Sequence, residues 1–177
     1  MKKQILLGSV VLGLAGCSPP PLQFVPANVT ISQNKLDAAL VSTVVTVAPK
    51  AEARGKVDVA GAEADVTELW KSALDDTLLR TAIFRDSSSR RVSLTVKVLK
   101  FSKSDVLGFG VTSIAKYELI DRNTGQVVYS KEIETAGRAS DYVGVDRVRK
   151  AASRSVQDNI TAFVQQLETA VLSVPAS

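Results

Sequence analysis

The stretch Val92-Ser93-Leu94-Thr95-Val96-Lys97-Val98 alternates apolar and polar side chains without a break. Successive side chains of a β-strand point to opposite faces of its sheet, so this period of two predicts a strand. Its apolar positions would face a core, and its Ser, Thr and Lys positions would face outwards. Such a strand is stable only within a sheet whose apolar face is covered by another layer. The flanking sequence predicts both the further strands and the covering helices.

A hairpin is predicted on the C-terminal side of this strand. Segment 109–119 continues the alternation, although Ser113 interrupts its apolar face. The next six residues, 121–126, are typical of a turn, and Gly125 among them can adopt a positive φ. Alternation resumes over 127–133, so two antiparallel strands are expected here.

β-Branched residues predict further strands on the N-terminal side. Segment 41–47 is the most strand-like, and segment 28–31 is a second candidate. Pro49 and the mixed residues 50–64 indicate a long loop that holds a short strand at 56–59.

Two segments have the period of an amphipathic helix. The first begins with Asp65 and Glu68 in capping-box spacing and extends to about Phe84. Its buried positions recur at helical spacing: Trp70, Ala73, Leu74, Thr77 and Leu78. The second helix has an apolar residue at every third or fourth position: Val148, Ala152, Val156, Ile160, Phe163, Leu167 and Val171.

We therefore predict an α+β fold, with an antiparallel sheet of about four strands and two amphipathic helices packed on one face. The opposite face of the sheet would be polar and either solvated or a docking surface. It would carry Lys97, Thr112, Lys116 and Glu118.

Composition excludes several classes of protein. The 177 residues are 45% hydrophobic and 23% charged, which is typical of one globular domain and not of a disordered, collagenous or multi-pass membrane protein. Because there is no His, imidazole catalysis and clustered Cys/His metal sites are excluded, and we expect no bound metal. Cys17 is the only cysteine, so no disulfide can form within the chain.

The N-terminus has the features of an export signal. An apolar run over 5–14 follows Lys2 and Lys3, and the small residues Ala15 and Gly16 end it. A helix needs about 20 residues to cross a bilayer, so this shorter run predicts a cleavable signal and not a membrane span.

The tetrapeptide Leu14-Ala15-Gly16-Cys17 resembles the lipobox of bacterial lipoproteins, in which the cysteine thiol receives a diacylglycerol and the signal is then cleaved before it. The resemblance implies that Cys17 becomes the first residue and carries diacylglycerol and fatty acyl groups, with no other cofactor. An Asp after the cysteine retains such proteins in the inner membrane. Because Ser18 stands there instead, we expect an outer-membrane protein anchored by lipid and facing the periplasm. The alternative is an ordinary signal-peptidase site, with Cys17 merely a small apolar residue.

This interpretation divides the chain into three parts. Residues 1–16 are the signal peptide, residues 17–27 are the lipidated cysteine and a Pro-rich tether, and residues 28–177 form a single α+β domain. Cleavage would remove Lys2 and Lys3 and lower the formal net charge from +4 to +2. Because part of the basicity belongs to the signal, we expect no nucleic-acid partner.

No group of residues has the pattern of a catalytic site, so we expect a non-enzymatic protein. Asp75 and Asp76 are adjacent, but neighbouring helical positions point about 100° apart, and Asp76 is spaced to pair with Arg80. The three serines at 87–89 have no His to activate them and are typical of a turn. The glycines of segment 108–110 lie beside a strand and do not resemble a phosphate-binding loop.

Basic residues form two clusters. The first consists of Arg80, Arg85, Arg90 and Arg91, and the second of Arg147, Arg149, Lys150 and Arg154. Either the clusters are solvated surface, or they contact an anionic partner, for which the second is the candidate surface. Trp70, the only Trp, lies on the apolar side of its helix and is expected in the core.

Segment 70–167 resembles small envelope lipoproteins of Gram-negative bacteria. The likeness lies in the helix ending near Ile83-Phe84, the 92–98 strand, the hairpin at Thr124-Gly125 and a closing helix with Asn159-Ile160. Such proteins include the YajG-like lipoproteins and the auxiliary lipoproteins of lipid-transport systems. The resemblance implies a compact α+β domain that hangs from a lipidated cysteine.

Two hypotheses about function follow from this resemblance. The first is a non-catalytic binding or assembly role, as an accessory component of an envelope complex, through a protein partner or through self-association. The alternative is a lipid-handling auxiliary protein of an intermembrane transport system. In both cases the lipid anchor attaches the protein to a membrane.

Overall fold

A computed structural model describes residues 21–58, 63–104, 110–140 and 144–172, without the side chains of residues 63–65. The described chain forms a mixed sheet of five strands, covered on one face by two α-helices. Its elements are β1 (Ala39–Val47), β2 (Val57–Asp58), α1 (Glu63–Thr81), β3 (Arg91–Lys103), β4 (Gly110–Asp121), β5 (Val127–Arg138) and α2 (Gly144–Glu168). The predicted α+β class is confirmed.

The sheet is mixed, so the prediction of an antiparallel sheet is wrong for part of it. The strand order is β1-β3-β4-β5, and β2 follows β1 along the same side of β3. The pairs β3–β4 and β4–β5 are antiparallel, whereas β1 and β2 run parallel to β3. The parallel pairing arises because α1 carries the chain back to the end of the sheet where β1 begins. β3 therefore runs in the same direction as β1. The fifth strand, β2, has only two residues.

Segment 28–31 is not a strand, and that prediction is also wrong. Its backbone has no regular structure, and Ile31 is 73% exposed. The next residue, Ser32, donates its N–H to the Thr81 carbonyl at the end of α1 (2.8 Å). β-Branched residues form a strand only where a strand edge is available, and this segment instead passes the end of a helix.

Several elements have different bounds from those predicted. β3 continues to Lys103, beyond the alternating stretch 92–98, and β5 continues to Arg138, beyond segment 127–133. α1 ends one turn early, where Ala82 adopts a φ of 47°. Val171, predicted in the second helix, lies beyond α2 and is 91% exposed. Phe109, the first residue of the predicted strand 109–119, lies outside the described residues.

Both helices pack on one face of the sheet, as predicted. Trp70 of α1 and Phe163 of α2 are fully buried in one core. The four apolar residues of the alternating stretch line this core: Val92, Leu94, Val96 and Val98. Tyr117 of β4 stacks on Phe163 with ring centroids 4.1 Å apart, so the middle of the sheet is closed by α2.

The other face of the sheet is polar, as predicted. It carries Lys97, Thr112, Lys116 and Glu118. The apolar residues Ala48, Leu99 and Ile114 form a small separate cluster. The side chains of this face are therefore held together by ion pairs and by this one small apolar cluster.

Candidate binding surfaces

The predicted acid pair does not form a joint site. Asp75 accepts a hydrogen bond from Lys71 (2.6 Å), and Asp76 accepts one from Arg80 (3.1 Å). These are ordinary solvent-exposed pairs four residues apart on a helix surface, and such pairs contribute little to stability. The pairing of Asp76 with Arg80 is the one that the spacing predicts.

The serines at 87–89 lie in the turn between α1 and β3, as predicted. Ser88 donates its N–H to the Arg85 carbonyl (3.0 Å), and its hydroxyl accepts the N–H of Arg90 (3.2 Å). This hydroxyl therefore stabilises the turn that leads into β3.

Three of the four residues of the first basic cluster pair with acids of the fold itself. Besides the pair of Arg80 with Asp76, Arg85 lies 3.4 Å from a carboxylate oxygen of Asp37. Arg90 lies 3.2 Å from Asp121, whose side chain is nearly buried. Arg80, Arg85 and Arg90 are thus each engaged in an ion pair within the domain.

Asp121 is stabilised as a carboxylate by the turn between β4 and β5. Its oxygens accept hydrogen bonds from the backbone N–H groups of Asn123 (2.9 Å) and Thr124 (3.2 Å). These two donors, together with the Arg90 guanidinium, hold the pKa of the Asp121 carboxyl below its ordinary value. Gly125 completes the turn with a φ of 72°.

The second basic cluster lies on the first half of α2. Arg154 is exposed and donates a hydrogen bond to the Arg138 carbonyl at the end of β5 (3.0 Å), while Arg147 and Arg149 are partly exposed and Lys150 is exposed. The structure thus places all four predicted residues on one element, within two turns of helix.

The N-terminal end of the described chain is attached to the same helix. The Gln23 N–H donates to the Ser153 hydroxyl (3.0 Å), and its carbonyl accepts a hydrogen bond from the Gln157 side chain (2.8 Å). Leu22 and Phe24 on either side are buried in the core. Phe24 packs edge-on against two other aromatic rings, Trp70 and Phe101. The predicted tether, residues 17–27, is therefore packed against the domain from Leu22 onwards.

A buried polar network joins the helices to the sheet, and sequence analysis missed it. The Tyr117 hydroxyl donates to the Asn159 side-chain oxygen (2.7 Å) and accepts the Trp70 indole N–H (3.3 Å). The Asn159 amide group donates to the Ile133 carbonyl (2.9 Å). Burial raises the pKa of Tyr117 far above its usual value, so the hydroxyl stays protonated. The available signal was a single Asn on the apolar side of the second helix.

The polar face of the sheet is covered by ion pairs. Lys97 binds Glu52 (2.8 Å), and Lys116 binds Glu118 (2.6 Å). The hydrogen bond between Lys97 and Glu52 raises the pKa of the Lys97 ammonium and lowers that of the Glu52 carboxyl. Both groups of the pair are thus charged at neutral pH.

The two edges of the sheet differ in chemistry. The edge strand β5 carries exposed charged residues, namely Lys131, Glu132, Glu134 and Arg138. The edge strand β1 contains no charged residue and no proline, and its Val41, Val44 and Val47 are exposed. Charged side chains protect an edge strand from pairing with another chain, so only β5 has this protection.

The lipobox residues Leu14, Ala15, Gly16, Cys17 and Ser18 lie outside the described residues. In the part of the chain that the structure describes, no helix is long and apolar enough to cross a membrane. The same residues include no group of three or more acids or Cys/His side chains arranged to hold a metal ion.

Comparison with known proteins identifies the fold. No family model matches the chain, and no curated protein matches its sequence. Protein XCC0632 from Xanthomonas campestris, of family DUF330, has a TM-score of 0.53 at 15% identity, over 86% of this chain and 94% of that one. A PelC variant from Paraburkholderia phytofirmans, described as a dodecamer, has a TM-score of 0.50 at 16% identity. The match covers 85% of this chain and 94% of that one. A minor lipoprotein from Acinetobacter baumannii is more distant, with a TM-score of 0.42 at 10% identity. The match covers 72% of this chain and 92% of that one. At such identities the first two likenesses establish a shared fold and nothing more.

Proposed function

We propose that the protein is a lipid-anchored component of the Gram-negative cell envelope, with a non-catalytic binding or assembly role. The observation that carries this proposal is Leu14-Ala15-Gly16-Cys17 directly after a short apolar run. The protein would be attached to the outer membrane through diacylglycerol and fatty acyl groups on Cys17 and would face the periplasm. Several acyl chains on one residue suffice for stable anchoring without a spanning helix.

The packing of the N-terminal segment supports a domain held close to the lipid surface. Leu22, the first buried residue in the described part of the chain, is only five positions after Cys17. An extended chain spans at most about 3.5 Å per residue, so these five positions reach roughly 17 Å. The domain would therefore stay within about one domain radius of the headgroups.

With the anchor at Cys17, the same geometry would bring the basic surface of α2 near the membrane. Ser153 and Gln157 hold Gln23, and Arg149 and Lys150 lie one turn before Ser153 on the same helix. Basic residues near an anionic membrane surface contribute about 1 kcal/mol each to binding. We propose that the cluster of Arg147, Arg149, Lys150 and Arg154 faces anionic groups at the membrane.

An assembly role has support from the fold neighbours. The PelC structure, which shares this fold, is a dodecamer. A domain of this architecture is therefore able to join with further copies of itself. The open β1 edge is the part of the described surface best suited to such a contact.

The proposal is tested by crosslinking in living cells, followed by affinity purification of the detergent-solubilised protein. A Cys17→Ala variant is the control. We expect crosslinks to an envelope protein or to further copies, and their loss when the anchor is lost. An unchanged set of crosslinks in the Cys17→Ala variant would contradict the anchored role.

A charge-reversal pair tests the basic surface separately. Arg147, Arg149 and Arg154 are changed together to Glu, and the matched control changes three exposed cations elsewhere, Lys56, Arg122 and Lys131. Both triple variants alter the net charge equally. We expect weaker binding of the first variant alone to vesicles containing anionic lipid; equal binding of the two would refute the orientation.

A further inference from the structure

We infer that a cleft between the start of β5 and the end of α2 binds the carboxyl-terminal end of a peptide. The groups that would contact this end are the Tyr129 hydroxyl, the Gln166 side-chain oxygen and the Lys131 ammonium. The chemistry recognised would be a carboxylate beside an amide group. This inference rests on the proposed binding role and adds a site and a class of ligand to it.

The cleft lies where β5 begins and α2 ends. The Thr135 hydroxyl of β5 donates to the Ser155 carbonyl of α2 (2.7 Å), so the alternate residues Lys131 and Tyr129 also lie on the side of the sheet that α2 covers. The last turn of α2 and segment 169–171 form the opposite wall. The space has a volume of about 440 Å³, within the range typical of small-ligand sites, and therefore suits the end of a chain better than a long segment.

Two polar atoms in the walls of this cleft have no hydrogen-bond partner. In the part of the chain that the structure describes, the Tyr129 hydroxyl and the Gln166 side-chain oxygen are the two buried side-chain polar atoms left unpaired. Both side chains line the same cleft. A buried polar atom without a partner costs free energy, and a ligand that supplies the partner recovers it.

The chemistry of the two atoms specifies what a ligand must bring. Burial raises the pKa of Tyr129 to about 12, so its hydroxyl keeps its proton at neutral pH and can donate. The Gln166 side-chain oxygen can only accept a hydrogen bond. A ligand that satisfies both atoms must therefore carry an acceptor and a donor close together. The carboxylate and the neighbouring amide N–H of a peptide end meet this requirement.

Lys131 adds positive charge to the same wall. Its side chain is exposed and forms no ion pair with another described residue. Glu132, the carboxylate that also lines the cleft, lies 3.6 Å from the Arg54 guanidinium and is thus already paired. The cleft therefore offers a cation to an anionic group beside the two unpaired oxygens, which favours a carboxylate over an uncharged amide.

The segment after α2 can open the cleft onto the two buried oxygens. Val171 is 91% exposed. Among the described residues, segment 169–171 has hydrogen bonds only to the last turn of α2, from the Ala170 N–H to the Leu167 carbonyl (3.1 Å) and from the Thr169 hydroxyl to the Gln166 carbonyl (3.3 Å). A small shift of this segment would therefore break no hydrogen bond to the sheet.

Two probes that differ only at the chain end test the ligand class. N-acetyl-alanyl-alanine has a free carboxylate, and its carboxamide derivative does not. Each is titrated into the full-length protein in detergent, and the backbone amide signals are followed by NMR. We expect saturable shifts in segments 129–132 and 166–171 with the first probe, and binding about fivefold or more weaker with the second. Equal affinity for the two probes, or no saturable shift in these segments, would overturn the proposal.

Substitutions in the walls assign the contacts. Tyr129→Phe, Gln166→Leu and Lys131→Gln should each weaken binding of N-acetyl-alanyl-alanine by about fivefold or more. With the carboxamide probe, only the first two should matter. The matched control is Gln165→Leu, because Gln165 is exposed on the same helix and does not line the cleft. Binding that survives both Tyr129→Phe and Gln166→Leu would overturn the proposal.

Urea denaturation without a probe separates a ligand site from a pair within the fold. The effects of Tyr129→Phe and Gln166→Leu on the free energy of unfolding should simply add in the double variant, because neither atom has a partner to lose. A double variant that is clearly more stable than the sum predicts would show that the two side chains bond each other, and would overturn the proposal.

Failure of the cleft and failure of the proposed function give different results. If neither probe binds while crosslinks in living cells still depend on Cys17, the cleft is wrong and the anchored role stands. If N-acetyl-alanyl-alanine binds as expected while the crosslinks are unchanged in the Cys17→Ala variant, the cleft stands and the anchored role fails.

Discussion

Tyr117 and Asn159 stand where α1, α2 and the sheet meet, and their side chains hydrogen-bond each other at 2.7 Å. Neither residue is exposed, and the network also includes the Trp70 indole and the Ile133 carbonyl. Buried polar groups destabilise a fold when they lose their partners, so such a network permits only one arrangement of helices on the sheet.

Removing the Tyr117 hydroxyl should therefore be costly. Tyr117→Phe leaves the Asn159 oxygen without this donor and the Trp70 N–H without this acceptor, and we expect a loss of about 1–3 kcal/mol in the free energy of unfolding. Urea denaturation measures it. The control is Tyr129→Phe, because the Tyr129 hydroxyl is buried without a hydrogen-bond partner among the described residues. Equal losses in both variants would show that the network does not matter.

The Asp121 carboxylate makes the free energy of unfolding depend on pH. Its pKa is lowered in the folded protein by two backbone N–H donors and Arg90, relative to about 3.9 in an unfolded chain. Stability from this group is therefore full above pH 4 and is lost as the pH falls through the folded pKa.

The variant Asp121→Asn should accordingly be less stable than the original chain at pH 7, with a difference that shrinks towards pH 2. Thermal unfolding across this range measures the difference. Asp158→Asn, at an exposed position on α2, is the control and should show little difference at any pH. A difference for Asp121→Asn that stays constant from pH 7 to pH 2 would contradict the assignment.

At the scale of elements, α2 approaches the sheet closely at Gly137 of β5. A Cβ atom there would collide with the Ala151 carbonyl and lie 2.5 Å from the Ser155 nitrogen of α2. Both are backbone atoms, which cannot rotate away. The glycine thus allows α2 to lie directly on β5.

Gly137→Ala should move α2 away from β5 and lower the free energy of unfolding by about 1–3 kcal/mol, as overpacking of a core does. Chemical denaturation tests this. Gly144→Ala at the start of α2 meets no atom within 4 Å and should be nearly neutral. A neutral Gly137→Ala would mean that the helix is not seated as described.

The elements also show what sequence patterning can and cannot predict. Alternation predicted β3 and the β4–β5 hairpin because each has one buried face, and the 3.6-residue period predicted α2 for the same reason. Strand direction is not encoded in that period, so the parallel pairing of β1 with β3 was missed. Segment 28–31 has strand composition but no strand partner, which local composition cannot reveal.

The candidate surfaces were only partly predictable. The second basic cluster could be recognised because its four residues are close together in the sequence, and the structure places all of them on α2. Its contact with an anionic partner stays a prediction. The attachment of Gln23 to the same helix was not predicted, since it joins residues 130 positions apart. Likewise, the open edge of β1 depends on the order of strands in the sheet, which only the three-dimensional structure supplies.

On the scale of the whole molecule, the N-terminal segment from Leu22 onwards is part of the fold and would connect it to the proposed anchor at Cys17. Phe24 is buried among Trp70 and Phe101, so force or orientation imposed at Cys17 would pass into the core over a few residues. With the proposed anchor at Cys17, this arrangement would give the domain a preferred face towards the membrane.

Removing the Phe24 ring should destabilise the entire domain. We expect Phe24→Ala to cost about 3 kcal/mol or more, because a buried aromatic ring leaves a cavity. Thermal unfolding provides the measurement, and Ile31→Ala, in the same N-terminal region but largely exposed, is the control. Equal, small effects of both would indicate that the N-terminal segment is not part of the core.

The central claim is that Cys17 anchors the protein, and the intact mass of the protein extracted from membranes tests it most directly. The account predicts a chain that begins at Cys17 and carries the added mass of diacylglycerol and fatty acyl groups, and a Cys17→Ala variant that keeps residues 1–16 without lipid. A chain of unmodified mass, or one cleaved at another residue, would contradict it.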